Sequence, residues 1–170
     1  MATMGCTQEQ RNETNEEVRE LKEEMRVEKK LDPATLDYAD HGGEPYVAHI
    51  EDLTEANTTF RTAVWTGSNL QLTVMSIPVG GDVGKEIHND VEQFLRLEEG
   101  EGEVFFGQSE DTMTSYGKVK SGDCIIVPKA TWHNIKNIGD EPMKLYSIYS
   151  PTEHPRGTVH QTMAEGQHHE

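Results

Sequence analysis

Short β-prone runs, separated by turn signals, fill the chain from about residue 46 to residue 150. The clearest run, NLQLTVMSIP, alternates with a period of two, so that leucine and valine share one face and Gln71, Thr73 and Met75 share the other. The other runs are FRTAVWT, VEQFLRL, GEVFFG, CIIVP, WHNIKNI and MKLYSIYS. Turn-forming sequences such as TGSN, EEGEG and KSGD lie between them. Short strands at this spacing predict an all-β sandwich or barrel.

The two ends of the chain differ from this β-rich region. Residues 8–31 are almost all polar, with a thin apolar seam at helical spacing formed by Val18, Leu21 and Met25. This composition favours a solvated helix or a disordered tail, and a short dimerising or docking helix is the alternative. We therefore predict an acidic extension and linker at residues 1–45, a barrel at residues 46–150 and a polar tail at residues 151–170.

Charge and cysteine content narrow the classes of function. The chain has 31 acidic and 15 basic residues, a formal charge of -16, which disfavours binding to nucleic acid or to an anionic membrane surface. No run approaches the about 20 apolar residues of a membrane helix, and the first residues contain no apolar stretch typical of a secretory signal. The two cysteines form no metal-binding pair, and Cys124, beside IIVP, is expected to be buried. We expect a soluble, cytoplasmic protein.

Potential metal ligands are concentrated in GGDVGKEIHNDVEQFLRLEEGEG. Glu86 and His88 share a face if that stretch is extended, and the residues HND then favour a bend. In the strand that follows, Gln93 lies on the same face as the apolar residues, whereas Glu92 points away. His133 follows a tryptophan at the start of a later strand, and taken alone it is more typical of an ordinary packed histidine than of a ligand.

The spacing of these residues resembles the first conserved motif of the cupin superfamily. That motif runs Gly, five residues, His-x-His, three or four residues, Glu, six residues, Gly. Here Gly80, five residues, Glu86-x-His88, four residues, Gln93, six residues and Gly100 stand in the same frame.

A later stretch is similar to the second cupin motif, which runs Gly, five residues, Pro-x-Gly, two residues, His, three residues, Asn. This chain has Gly122, five residues, Pro128-x-Ala130, two residues, His133, three residues and Asn137. Both motifs thus match at their two ends. The resemblance covers roughly residues 46–150 and extends to the small single-domain cupins often labelled sugar-phosphate isomerases.

The resemblance implies a double-stranded β-helix (jelly-roll) barrel with one metal site, formed by Glu86, His88, Gln93 and His133. Glu86 replaces the usual first histidine and Gln93 the usual glutamate, which leaves two nitrogen and two oxygen ligands. This set suits Mn, Fe, Ni or Zn, with Fe²⁺ and Mn²⁺ somewhat favoured. Ala130 replaces a turn glycine. Two alternatives remain, namely a triad of His88, Asp90 and His133, and a degenerate cupin that binds no metal.

These features favour a metal-dependent cupin enzyme that acts on a small, oxygen-rich, anionic substrate, with chemistry of the isomerase or dioxygenase type. The alternative is a non-catalytic cupin that binds a small ligand or serves as an interaction module. Tyr146 is the candidate catalytic residue, although Tyr146 and Tyr149 occupy opposite faces of one strand and only one of them can face inward.

The sequence evidence is weaker for two further features, the position of the C-terminal tail and the contact between subunits. The polar tail, with His154, Arg156 and His160, either lies across the barrel mouth or forms a surface extension, and the second is favoured. We expect a homodimer, since cupins commonly dimerise, with the face that carries Phe94 and Arg96 as the candidate contact.

Overall fold

The computed structural model describes residues 36–167, and the expectations for residues 1–35 and for the last three residues lie outside this range. Within it, nine strands and two short helices follow one another, with a single 3-10 turn at Glu110–Thr112. The elements are α1 (Ile50–Ala56), β1 (Arg61–Thr66), β2 (Gln71–Ile77), β3 (Glu92–Glu99), β4 (Glu101–Gly107), β5 (Thr114–Lys120), β6 (Cys124–Val127), β7 (Trp132–Asn137), β8 (Met143–Ser150), β9 (Val159–His160) and α2 (Met163–Gln167). Neither helix is long and apolar enough to cross a membrane.

The strands form two antiparallel sheets. The larger sheet has the order β6-β3-β8-β2-β1-β9, and the smaller has the order β5-β4-β7. Isolated bridges join Asp82 to Lys136 and Glu86 to His133, so the segment before β3 continues the smaller sheet beside β7. This two-sheet architecture confirms the prediction of an all-β jelly-roll barrel.

The main hydrophobic core lies between the two sheets. Leu95 and Leu97 of β3 and Leu145 of β8 contribute from the larger sheet, and Val104 of β4 and Ile135 of β7 from the smaller. All five side chains are almost fully excluded from solvent. Strands that alternate in this way bury one face and leave the other for polar residues or a covering element.

A second apolar cluster covers the outer face of the larger sheet. Leu53 of α1 packs there on Val64 and Val74, which point outward from β1 and β2. Leu36 and Tyr38, from the stretch predicted as a linker, pack against the same cluster, and the Tyr38 hydroxyl donates to the Leu53 carbonyl. Residues 36–38 are therefore attached to the barrel.

Two strands and one burial expectation differ from the sequence analysis. Strand β5 was not predicted because its residues are almost all exposed and lack apolar alternation, and β9 was not predicted because it has only two residues. Cys124 was expected to be buried, and this is wrong, since it is exposed at the start of β6. The alternation of β6 turns Ile125 and Val127 inward, which leaves Cys124 and Ile126 outside.

In the turn before β7, Ala130 adopts a backbone conformation that is unfavourable for a residue with a Cβ atom. Its φ is 57°, in the left-handed region, and its amide donates to the His88 carbonyl at 2.6 Å. We expect Ala130→Gly to raise the free energy of unfolding by about 0.5–1 kcal/mol, because glycine removes the strain but gains freedom in the unfolded chain. Urea unfolding measures this. The matched control Gly122→Ala, at φ 90° with open space around the added Cβ, should lower stability, and a stabilising Gly122→Ala would contradict this explanation.

Candidate metal centre

Glu86, His88 and His133 meet at one end of the barrel, and backbone pairing fixes their approach. The amide of Glu86 donates to the carbonyl of His133 at 3.0 Å, and the amide of His133 donates to the carbonyl of Glu86 at 2.9 Å. This reciprocal pair holds the segment before β3 against β7. Two segments about 45 residues apart in the chain thereby place an acidic and a histidine side chain side by side.

The side-chain atoms of this cluster lie close together, with a spacing slightly wider than that of ligands around a bound ion. His88 Nε2 lies 3.5 Å and His133 Nε2 lies 3.9 Å from Glu86 Oε2, and the three candidate ligand atoms lie within 4.8 Å of one another. Ligands about 2.1 Å from a shared ion are themselves separated by about 3–3.5 Å. None of the three atoms has a hydrogen-bond partner among the described residues. The donor set therefore fits a divalent cation.

In each histidine ring, Nδ1, the nitrogen that is not in the cluster, lies within hydrogen-bond distance of an oxygen atom. His133 Nδ1 lies 3.0 Å from the carbonyl of Thr131, and His88 Nδ1 lies 3.1 Å from Glu153 Oε1. In a neutral ring, an Nδ1–H that donates to such an oxygen leaves Nε2 as the acceptor facing the cluster. Partners of this kind orient metal-binding histidines in proteins.

The pKa values of the cluster residues indicate which side chain carries a proton before a cation binds. Burial lowers the pKa of His88, but the carboxylates of Glu153 and Glu86 outweigh it and raise that pKa from 6.5 to about 9. Burial raises the pKa of Glu86, but contact with His88 and the charge of Arg61 outweigh it and bring the pKa below its ordinary value. Burial lowers the pKa of His133, so its ring is neutral at pH 7. A bound cation would thus displace a proton from His88.

Gln93, the fourth predicted ligand, points into the barrel from β3. Its side chain is 1% exposed, its Nε2 donates to the Ser147 hydroxyl at 3.1 Å, and its Oε1 has no hydrogen-bond partner within residues 36–167. Glu92 is exposed on the other face, as the alternation predicts. Asp90, the carboxylate of the alternative triad, is exposed and lies outside the cluster of three ligands.

Arg61 is a member of the site that the sequence analysis missed. It is the first residue of β1, its side chain is 1% exposed, and its Nη2 lies 3.4 Å from Glu86 Oε1. The available signal was an arginine inside the apolar run FRTAVWT, where a charged side chain must face either water or a buried partner.

The C-terminal segment (residues 151–167) lies across the mouth of the barrel. A cavity of about 650 Å³ opens beside the cluster, and its wall includes Arg61, Glu86 and His88 together with Glu153, His154 and His160. The favoured expectation of a surface extension is therefore wrong for these three residues of the tail. Burial, followed by the charge of Arg61, lowers the pKa of His154 from 6.5 to about 4, which keeps it neutral at pH 7.

A buried glutamine anchors this segment. Gln71 Nε2 donates to the His154 carbonyl at 2.8 Å, and Gln71 Oε1 accepts from the amides of His154 at 2.9 Å and of Glu153 at 3.3 Å. Gln71 itself is fully buried. The placement of Glu153 against His88 thus depends on a side chain of β2.

The tyrosines of β8 occupy opposite faces, and Tyr149 is the inward one. Tyr149 is fully buried, with its ring edge-on to His88 at 5.9 Å between centroids. Tyr146 lies on the outer face, 6.2 Å from Phe94 between ring centroids, and neither tyrosine lines the cavity. The strand alternation turns Tyr146 away from the cluster, so it is not placed to act there. Phe94 makes this contact within its own chain, and the homodimer stays a prediction.

Comparison with known proteins agrees with this architecture. Residues 73–149 match a family model described as a cupin domain. YrkC of Bacillus subtilis, an uncharacterized protein, is 50% identical over 126 residues, which cover 74% of this chain and 68% of YrkC. The uncharacterized protein L612 of Acanthamoeba polyphaga mimivirus is 36% identical over 115 residues, which cover 67% of this chain and 70% of L612.

A solved structure extends the comparison to three dimensions. The crystal structure of BH2720 from Bacillus halodurans superposes with a TM-score of 0.73 at 51% identity, over 75% of this chain and 96% of that protein. The similarity thus includes the fold as well as the sequence of the strands. Since residues 73–149 match the cupin domain and its relatives cover about three quarters of its length, this chain belongs to the cupin superfamily.

Proposed function

We propose that this chain is a metal-dependent cupin enzyme that acts on a small, oxygen-rich, anionic molecule. The observation that carries the proposal is the convergence of His88 Nε2, His133 Nε2 and Glu86 Oε2, three buried polar atoms without hydrogen-bond partners among the described residues. Polar atoms buried in this way ordinarily have partners, and a divalent cation satisfies all three at once. The cavity beside them provides room for a small molecule.

The ligand set we propose is Glu86, His88, Gln93 and His133. Gln93 joins the set because its Oε1 is buried and without a hydrogen-bond partner within residues 36–167. Mn, Fe, Ni and Zn all accept mixed nitrogen and oxygen ligands, and the two oxygens favour Fe²⁺ or Mn²⁺. When bound, such an ion supplies Lewis acidity toward a substrate oxygen, and iron adds redox chemistry with O₂.

The protein's own residues hold the site in place. Glu153 accepts from His88 Nδ1 and fixes the orientation of that ring, as the Thr131 carbonyl does for His133. His154 lines the cavity as a neutral imidazole, so it can donate or accept a hydrogen bond from a bound molecule without adding charge. These features suit isomerase or dioxygenase chemistry on an oxygen-rich substrate.

Elemental analysis tests the metal. Full-length protein purified without chelators is expected to contain about one equivalent of Mn, Fe, Ni or Zn per chain, since a buried site of this kind binds such ions tightly. Removal by EDTA and reconstitution with each ion should restore the same stoichiometry. Protein that contains no stoichiometric metal, both as isolated and after reconstitution, would contradict the proposal.

The two reaction types give different signals in the metal-loaded protein. With a panel of 2-hydroxy and 2-keto carboxylates in D₂O, NMR detects exchange of the proton next to the carbonyl, as expected of an isomerase. With the iron-loaded protein, an oxygen electrode detects substrate-dependent O₂ consumption, as expected of a dioxygenase. Binding without either signal would favour the non-catalytic ligand-binding protein instead.

A further inference from the structure

Arg61 is buried, and its positive charge is only partly balanced by the acceptor groups around it. Its side chain is 1% exposed, and its ion pair with Glu86 Oε1 is long, at 3.4 Å between Nη2 and the carboxylate. Arg61 Nε is buried without a hydrogen-bond partner within residues 36–167. A guanidinium carries five N–H donors and is costly to bury unless acceptors surround it. Since Arg61 also lines the cavity, its missing acceptor can come from a bound molecule.

The charges around the cavity indicate the sign of the charge that the bound molecule carries. With a divalent cation bound, the cation and Arg61 together carry more positive charge than Glu86 and Glu153 carry negative charge. Lys85 and Asp82 also line the cavity, but Lys85 forms its ion pair with Glu110 at 3.2 Å, and Asp82 accepts a hydrogen bond from Gln167 Nε2 at 3.0 Å. Next to the cluster, Glu86 cannot neutralise both the cation and Arg61, so the loaded site attracts an anionic group there.

We propose that the site binds a small carboxylate, with one carboxylate group held by the Arg61 guanidinium and a second oxygen function at the metal cluster. This inference rests on the proposed function, because the second oxygen needs the bound cation. A planar guanidinium binds a carboxylate through two parallel hydrogen bonds, a geometry that a hydroxyl group of a neutral sugar does not reproduce.

The distances restrict the carboxylate to a compact one. Arg61 Nη2 lies 3.4 Å from Glu86 Oε1, and the other oxygen of Glu86 lies 3.5 Å from His88 Nε2, so guanidinium and cluster are neighbours. These short contacts through one carboxylate favour a ligand whose two oxygen functions stand on adjacent carbons or are separated by one carbon. His154 Nε2, buried without a hydrogen-bond partner among the described residues, is available to a further hydroxyl group of the ligand.

Malonate titration of the Mn²⁺-loaded full-length protein tests this inference. Compared at equal Mn²⁺ content, Arg61→Gln is expected to weaken malonate binding by about 10- to 100-fold, because a charge-assisted bidentate contact is lost. Malonamide, the neutral analogue, should bind weakly to both proteins. Arg96→Gln, the same substitution on the outer face of β3, should change malonate affinity less than about twofold. Metal content measured after titration checks that malonate has not removed the ion.

The outcomes separate this inference from the proposed function. Wild-type protein that takes up no metal overturns both, whereas loaded protein that does not bind malonate, or binds it equally well after Arg61→Gln, overturns this inference alone. If Arg61→Gln does not fold, Arg61→Lys retains the charge without the two-pronged donor and is expected to weaken malonate binding by about 3- to 10-fold. Unchanged malonate affinity in that variant would equally overturn the inference.

Discussion

Replacing His133 with alanine is expected to lower the affinity for a divalent cation by at least about 100-fold. His133 Nε2 is one of three converging acceptors, its ring is fully buried, and its Nδ1 is already held by the Thr131 carbonyl. A water that entered the gap would replace a nitrogen ligand with a weaker, unoriented oxygen. Equilibrium dialysis with Mn²⁺ or Zn²⁺, followed by elemental analysis, measures the loss.

Two other variants show whether this loss is specific. Glu92→Ala, on the exposed face of β3, should leave metal affinity unchanged. Glu86→Ala should lower it strongly and Asp90→Ala should not, because Glu86 lies within the cluster and Asp90 is exposed outside it. The opposite result, with metal lost from Asp90→Ala and retained by Glu86→Ala, would support the alternative triad of His88, Asp90 and His133.

In β3 the face on which each residue lies could be predicted from the alternation of polar and apolar positions. In β3, Gln93 shares a face with Leu95 and Leu97, and all three are buried as expected. In β6, every position of CIIV is compatible with burial, so alternation alone could not assign Cys124 to the outside. The meeting of Glu86 with His133 required more than periodicity, and it was predicted only because two glycine-framed motifs resemble a known pair.

The partners of Arg61 and Glu153 could not be predicted, although the arginine inside the apolar run FRTAVWT indicated a buried charge. Both lie outside the two motifs, and each acts through a contact with a motif residue distant in the chain, Glu86 in one case and His88 in the other. A polar tail such as residues 151–167 has no hydrophobic period that would indicate where it lies. What brings this tail to the cavity is a set of hydrogen bonds between its backbone and Gln71, a buried residue whose partners the alternation in β2 does not identify.

Gln71 therefore connects stability with the site. It is fully buried at the start of β2, and its amide group makes one hydrogen bond to Thr66 and three to the backbone of Glu153 and His154. Without the Gln71 side chain, the backbone amide and carbonyl of His154 both lose their hydrogen-bond partner. Buried polar groups left in this way cost about 1–3 kcal/mol each, although water entering the gap recovers part of the loss.

We expect Gln71→Ala to lower the free energy of unfolding by about 2–4 kcal/mol and to loosen the C-terminal segment. Urea unfolding measures the first effect, and faster proteolysis after residue 150 in the folded protein measures the second. Because Glu153 then holds His88 less firmly, metal affinity should also fall, by about 10-fold or more. Gln108 is exposed, so Gln108→Ala is the matched control and should change none of these quantities. A Gln71→Ala protein with lower stability but unaltered metal affinity would show that the glutamine supports the barrel alone and that His88 is oriented without the C-terminal segment.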